Sequence, residues 1–511
     1  MATPVASRRV SAPTTTPDIS DGVRHVSLRS GVYADSVRLM QVSRDAGSGD
    51  GVTAVLVAMA TPLNLELAAS MGLAPDGDAS PEQLLIAVRA RDDEALAAAL
   101  AAVEAALAHR ERSTGTAGAV PVRTVGAALD DAAPDASVLA VVSVPGPYAV
   151  AEALDAVAAG RSVLVFSDGV PVEHEVGLKQ AARRAGVLVM GPDCGTAIVS
   201  GVALGFANVV RPGPVGLVAA SGTGAQQVSC LLDAAGVGVS HVLGVGGRDL
   251  SAAVGGLATL DALAALDADP ATERVLLVSK PPAPSVAEAV AEAAAGLATP
   301  VRSAVLSADS PDLTAAVEAL LGDLGVDVPA WPSRPGQGTA APGAVLKGFY
   351  SGGTLADEAM LLAAATLGDV RSNTPLRPEL DPALDWGTDH AARGHVVVDF
   401  GDDALTVGRA HPMIDPALRL EAVAGLAASG EPAVLLLDVV LGHGADPDPS
   451  VTLVPVLSGA PFPVVVALVG TEADPQCWSR QADALAGAGA AVFASNAAAT
   501  RHALTLLGAA S

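Results

Sequence analysis

Two short stretches carry residue types that can hold a phosphate. Ser221-Gly222-Thr223-Gly224 follows the apolar run Val215–Ala220 and opens an apparent helix. Ser351-Gly352-Gly353-Thr354 follows Val345–Tyr350 in the same way. Such a turn leaves backbone N–H groups unpaired at a helix N-terminus, where the helix dipole favours an anion. The hydroxyls add donors, and glycine allows close approach. The plainer reading of each is a helix N-cap in a doubly wound sheet. Neither is a Walker A loop, since no Gly-Lys-Ser/Thr follows.

Cations that would neutralise such an anion are few. Arg248 follows a Gly-rich strand end (GVGGRDL), where a guanidinium can fork onto a phosphate or carboxylate, with Asp249 beside it. Lys280 ends another strand, before two prolines. Arg409, His411 and Asp415 (GRAHPMID) form a third polar group, in which His411 is a candidate acid–base or phosphate donor. Surface ion pairs, a solvated lysine and a capping histidine are the plainer readings of these. The turn Gly191-Pro192-Asp193-Cys194 closes a further strand, at the end where open α/β sheets place ligands. Cys194 is a candidate nucleophile there, with a packing role as the alternative. Asp399, Asp402 and Asp403 cluster after one strand, Asp438 and His443 sit at and beyond another, and Thr471 to Cys477 end a third. Neither a metal-ligand spacing nor a Ser-His-Asp triad is legible.

Positioning these residues requires parallel strands ending on a common edge. Apolar runs alternate with Ala-rich helical stretches almost throughout, the pattern of parallel α/β layers. The runs predict strands at Val52–Met59, Val138–Val144, Val163–Ser167, Val187–Met190, Val215–Ala219, Val242–Val245 and Val275–Val278. A second set spans Gly343–Phe349, His395–Asp399, Val434–Val440, Val464–Val469 and Ala491–Ala494. Helices are expected at Asp92–Arg110, Val150–Ala159, Gly224–Ala235 and Ser285–Leu297. Polar Arg110–Ala119 and the Pro/Gly-dense Pro329–Pro342 read as joints. The expected division is a tail at 1–24, an α/β domain at 25–114, further domains at 115–210 and 211–328, a linker at 329–342 and a last domain at 343–511. The irregular segment 368–394 has the length of a functional loop.

Composition narrows the partners. Lys+Arg is 29 against 55 Asp+Glu, a net charge of −26 over 511 residues, so nucleic acid and anionic membranes would be repelled. A mean hydropathy of +0.45 raises the question of a membrane span. The apolar runs are far short of the ~20 residues a spanning helix needs, and Gly, Asp or Pro soon breaks each. Three distant cysteines suggest no disulfide framework. The N-terminal tail lacks the apolar core of a signal peptide, so the cytoplasm is the expected compartment.

The segments Gly191–Thr196, Ser221–Gln227 and Gly244–Leu250 resemble the α subunit of succinyl-CoA synthetase, and the region from Gly343 onward is similar to the carboxyl-terminal domain of its β subunit. Asp168-Gly169-Val170-Pro171 looks like a turn of its CoA-binding domain. The strings GPDCGT, FANV, ASGTG, GGRDL, VSKPPA, GGTLA, VGRAHPMIDP, LLLDVVLG and TEADPQC resemble the FdrA family, which fuses the two halves. The resemblance implies a Rossmann-like CoA-binding-type domain followed by two flavodoxin-like domains of succinyl-CoA-synthetase type, after an N-terminal α/β segment. Residues 299–311, where the synthetase carries its phosphohistidine, hold no histidine, and its ATP-grasp domain has no counterpart.

What the FdrA resemblance implies is a subunit of a carbamoyltransferase that, with two further subunits, converts oxalurate and phosphate to oxamate and carbamoyl phosphate in allantoin breakdown. The Ser-Thr-Arg-Thr-Arg motif of ordinary transcarbamoylases is absent. In that reading Ser221–Gly224 and Ser351–Thr354 bind phosphate or carbamoyl phosphate, alongside a small carboxylate or amide substrate. Arg248, Lys280, Arg409 and His411 serve the chemistry, and Asp193, Cys194, Asp249 and Asp415 are further candidates. No metal is expected, CoA is possible by resemblance, and an oligomer is expected. The alternatives are an acyl-CoA synthetase or other CoA-dependent enzyme, and a non-catalytic scaffold.

Overall fold

The computed structural model describes residues 22–31, 36–47, 49–77, 79–108, 124–130, 138–381, 394–406 and 409–508. It divides into two compact units, Met1–Ala119 and Val120–Ser511. Residues 1–21 of the expected tail, the joint at 110–119 and the centre of the 368–394 loop lie outside the described residues.

The first unit runs β1 (Val23–Arg29), α1 (Ser36–Gly47), β2 (Val52–Met59), α2 (Pro62–Ser70), β3 (Leu84–Ala90) and α3 (Asp93–Ala108). Its strands are ordered β1-β3-β2 with both pairings antiparallel, so the expectation of parallel layers fails here. The apolar residues of β3 explain the position of this central strand. Ile86 and Val88 face Leu39, Val42, Ala99 and Val103, whereas Leu85 and Ala87 face Ala68 and Leu73. A strand buried on both faces shows no alternation, which is why the sequence does not announce it.

The second unit opens with α4 (Val125–Asp130), β4 (Ala140–Val142), α5 (Gly146–Ala158), β5 (Val163–Val165), α6 (Val172–Ala185) and β6 (Val189–Met190). Its three strands are parallel in the order β4-β5-β6. A hairpin follows, β7 (Thr196–Val199) and β8 (Val202–Gly205). It is antiparallel and joins the next sheet through β7 (Ile198 opposite Val242), so that sheet begins earlier in the chain than the expected boundary at 210.

That sheet is completed by β9 (Pro212–Ala219), α7 (Gly222–Ala234), β10 (Val239–Gly244), α8 (Leu257–Asp267), β11 (Arg274–Ser279), α9 (Pro284–Ala295), β12 (Val301–Val305) and α10 (Leu313–Asp323). The last sheet comprises β13 (Ser333–Arg334), β14 (Val345–Tyr350), α11 (Gly353–Leu367), β15 (Val396–Asp399), α12 (Asp403–Thr406), α13 (Ala417–Ser429), β16 (Ala433–Val440), α14 (Pro449–Leu457), β17 (Val464–Val469), α15 (Trp478–Gly487), β18 (Ala491–Phe493) and α16 (Asn496–Leu506). β13 pairs antiparallel with β18, so the expected linker at 329–342 supplies an edge strand.

The strand orders are β12-β11-β9-β10-β7-β8 and β13-β18-β17-β16-β14-β15. In each half the first long strand lies between the second and the third. The direction in which successive strands are added across the sheet therefore reverses at β9 and β14, whose carboxyl ends are the switch points where open α/β sheets bind ligands. One continuous core fills the space between the sheets, with Val228 and Leu231 of α7, Val317 and Leu320 of α10, Leu355 and Met360 of α11, and Ala499 and Leu504 of α16. Hence these four helices form a shared central layer. α8 and α9 cover the outer face of one sheet, and α13, α14 and α15 that of the other. Among the described residues no helix is long and apolar enough to cross a membrane.

Candidate anion site at two facing helix ends

Both Ser/Gly/Thr turns stand at a switch point, and the shared layer turns them toward each other. Ser221 is the N-cap of α7, its Oγ accepting the Gly224 N–H at 2.9 Å. The same Oγ lies 2.6 Å from Thr354 Oγ1 in α11. A Cβ placed on Gly352 would come within 2.7 Å of Thr223 Cγ2 and 2.8 Å of Oγ1. The two helix N-termini thus meet at one shared rim, the mouth of the candidate site.

The turns are not equivalent. Asp438, fully buried in β16, accepts the Ser351 N–H at 2.7 Å, the Ser351 hydroxyl at 2.9 Å and the Gly352 N–H at 2.8 Å. Arg419 Nη1 donates to the same carboxylate at 2.6 Å and to the Asp438 carbonyl at 2.8 Å. Burial raises the Asp438 pKa, and Arg419 and the three turn donors oppose it. Ser351 and Gly352 therefore spend these donors on an internal carboxylate. Gly353 is left at the head of α11, which no side chain caps, and Thr354 is buried with its hydroxyl against Ser221 Oγ.

Lys280, at the end of β11, reaches α11 through Asp357, Nζ to Oδ2 at 2.7 Å, with its side chain half exposed. His411 lies behind the mouth: a Cβ on Gly401 would come 2.8 Å from its Nε2 and 2.5 Å from the Ser351 carbonyl oxygen. The His411 Nδ1 accepts the Met413 N–H at 3.3 Å, and its ring stands 6.0 Å from that of Phe206. Burial, then the Arg419 charge, pushes the imidazole down to about 4, so it is neutral at pH 7.

Other expected residues serve the frame. Arg248 Nη2 donates to the Val170 carbonyl at 2.7 Å and to Glu175 at 3.0 Å. Asp249, fully buried, accepts Lys179 Nζ at 2.8 Å and the Ala258 and Thr259 N–H groups at the start of α8. Cys194 is buried, its thiol pushed up to about 12, and donates weakly to the Thr196 carbonyl; it is no nucleophile at neutral pH. Asp193, pushed up to about 6 by burial and by Asp403 and Asp168, sits at a left-handed position (φ 58°). The Asp415 carboxylate accepts the Ala417 N–H at 3.0 Å at the start of α13. Arg409 is exposed, and among the described residues its side chain is joined to none at the mouth.

Arg419 is the residue that sequence reasoning missed. Its signal was an arginine inside an apolar helix, matched by Asp438 inside an apolar strand. Buried charges in such runs need each other.

Residues 349–506 match the family model described as CoA-ligase, and residues 22–121 match that described as AllF, heavy metal-associated domain. Fold and site thus define a CoA-ligase-type α/β protein with an added N-terminal unit. "Uncharacterized protein YahF" of Escherichia coli K12 is 37% identical over 456 residues, covering 81% of this chain and 83% of that one. The chain belongs to the FdrA family, the succinyl-CoA-synthetase-like fusion. "Succinate--CoA ligase [ADP-forming] subunit alpha 2" of Archaeoglobus fulgidus is 33% identical over 144 residues, 27% of this chain and 49% of that one, so the chain spans about half of that relative. The apo form of the dinucleotide-forming acetyl-coenzyme A synthetase 1 of Ca. Korarchaeum cryptofilum aligns with a TM-score of 0.29 and 15% identity, over 74% of this chain and 84% of that one.

The name of the first family model carries a heavy metal, and the residues of that unit do not fit one. The first cysteine in the chain is Cys194, so no thiolate is on hand for a soft metal. The ring of His25 bonds Ser27 Oγ at 3.1 Å, and no group of three His, Cys, Asp or Glu converges among the described residues.

Proposed function

We propose that the chain is the phosphate-handling subunit of a carbamoyltransferase that converts oxalurate and phosphate to oxamate and carbamoyl phosphate, working with two further subunits in allantoin breakdown. The observation that carries this reading is the single mouth shared by the α7 and α11 N-termini, with Thr223 against Gly352 and Lys280 alongside. Helix ends, two hydroxyls and a lysine suit a tetrahedral dianion. They also suit the oxyanion that forms when phosphate attacks a carbamoyl carbon. Residues 299–311 lack a histidine, which favours phosphate as a direct reactant over a phosphorylated chain.

The test is phosphate-dependent formation of carbamoyl phosphate from oxalurate by the purified chain, alone and with its two partner proteins. Thr223→Val is expected to lower the rate at least tenfold while the protein stays folded. Wild-type turnover by that variant in the complete assembly sinks the assignment.

A second reading is a ligase that forms a CoA thioester, favoured by the CoA-ligase match at residues 349–506. It requires phosphate to pass from ATP to the chain. Label transferred from the γ-phosphate of ATP to this protein, with CoA thioester formed, selects it over carbamoyl transfer.

A further inference from the structure

Asp399 ends β15 with 6% of its surface exposed. Its backbone is pinned by Asn373: Oδ1 accepts the Asp399 N–H at 2.9 Å, and Nδ2 donates to the Asp399 carbonyl at 2.8 Å. One carboxyl oxygen, Oδ1, accepts the Gly401 N–H at 2.9 Å. No hydrogen bond reaches the other among the described residues. That oxygen, Oδ2, lies 2.6 Å from where a Cβ on Gly353 would stand, over the first turn of α11. A nearly buried carboxyl whose second oxygen stays open beside an uncapped helix end is placed to meet a ligand there.

We propose that Asp399 is the proton carrier of the anion site: as a carboxylic acid its Oδ2–H donates to an oxygen of the bound tetrahedral anion, and as a carboxylate it repels that anion. The inference rests on reading the mouth as a phosphate site. The groups that face Asp399 are Lys280 from the end of β11, Asp357 from α11, Asp402 from its own loop and, behind Gly401, His411. Burial pushes the carboxyl up to about 7, against the pull of the Gly401 N–H and of Lys280. Asp402 and Asp357 add to the rise. His411 is already neutral and does not change charge near pH 7.

The proton balance of carbamoyl transfer gives the residue its task. A phosphate oxygen bonds to the carbamoyl carbon and the C–N bond to oxamate breaks. The departing nitrogen needs a proton, and the attacking phosphate hydroxyl has one to lose. Asp399 gives its proton to the nitrogen and takes that of the phosphate, so it ends the cycle as it began.

The experiment is calorimetric titration of the full chain with sulfate, whose charge is fixed between about pH 5.5 and 8.5, and with inorganic phosphate in parallel. Sulfate affinity is expected to be constant at low pH and to fall up to about tenfold per pH unit above about 7. Asp399→Asn, which keeps a donor and cannot ionise, is expected to bind sulfate within a few-fold of the wild type at pH 6. Its binding should not change with pH, and carbamoyl transfer should be lost. A flat wild-type profile, or a variant with the wild-type pH dependence, overturns the role of Asp399. A wild-type chain that binds neither sulfate nor phosphate overturns the anion site itself. A thermal melt of the variant checks its fold, and if it is unfolded the wild-type profile alone decides.

Discussion

A proton held on Asp399 has a cost that can be measured without any ligand. A carboxyl whose folded pKa stands above its unfolded value lowers stability once pH rises past the unfolded value, and the full loss is present above the folded one. For Asp399 that window runs from 3.8 to about 7. Asp399→Asn should therefore be more stable than the wild type at pH 8, by as much as ~4 kcal/mol, and should gain little at pH 4. Urea denaturation at the two pH values checks it. Equal stabilities at pH 8 place the carboxyl in a wetter site than the fold indicates. Gly352 makes the opposite test. Gly352→Ala presses a methyl onto Thr223, and overpacking of this kind costs roughly 1–3 kcal/mol. The strain falls where the two helix ends meet, so sulfate affinity should drop about tenfold or more in a protein that still folds. At this scale the helix-opening turn at Ser221 was legible, because a Ser/Gly/Thr turn after an apolar strand has few uses, whereas Ser351 gives its N–H and hydroxyl to Asp438. Arg248 was not, because its partner Glu175 is distant in the chain and comes near only through α6 packing.

Among the elements, the fold fills some anion-receptive backbone itself and leaves other backbone open. Asp249 occupies the start of α8, Asp312 caps α10, and Asp438 takes the Ser351 turn. Glu175, Lys179 and Asp249 then form a buried chain of charges, with Lys179 Nζ 2.7 Å from Glu175 and 2.8 Å from Asp249. Lys179 also donates to the Val245 carbonyl at 3.0 Å, so this cluster fastens α6 to the end of β10 and to α8. Removing one member leaves buried charge unpaired. Lys179→Ala should cost about 3–5 kcal/mol, read as a lowered urea midpoint. Asp438→Asn should cost a similar amount by leaving Arg419 without its carboxylate, and should weaken sulfate binding as well, since the Ser351 turn loses its anchor. Most of the parallel strands were legible from their aliphatic runs and turns, but not β12, whose run is broken by Arg302 and Ser303. The antiparallel first sheet was not. β3 is buried on both faces, so its run looks the same whichever way its neighbours run.

The whole second unit behaves as one body because its halves are stitched at several points. Asn208 Nδ2 donates to the Leu441 carbonyl at 2.9 Å and to Asp474 at 2.8 Å, and the Val209 N–H reaches Asp474 at 2.7 Å. The strings FANV and TEADPQC are thus two sides of one seam, which no reading along the chain could reveal. The net charge of −26 also takes on a local meaning. Asp399, Asp402 and Asp357 stand near the mouth, with Lys280 a cation beside it, so anion binding should be weak at low ionic strength unless Asp399 is protonated. Two copies of a phosphate-type turn suggest two ligands, yet the geometry gives one mouth, and titration should return one sulfate per chain. The bond between Ser221 and Thr354 joins residues 133 positions apart on a single polypeptide. Two half-sites carried on one chain meet at an effective concentration that dilution cannot change. Sulfate affinity should therefore be the same at nanomolar and micromolar protein, whereas a site completed by a second molecule would fade as the solution is thinned.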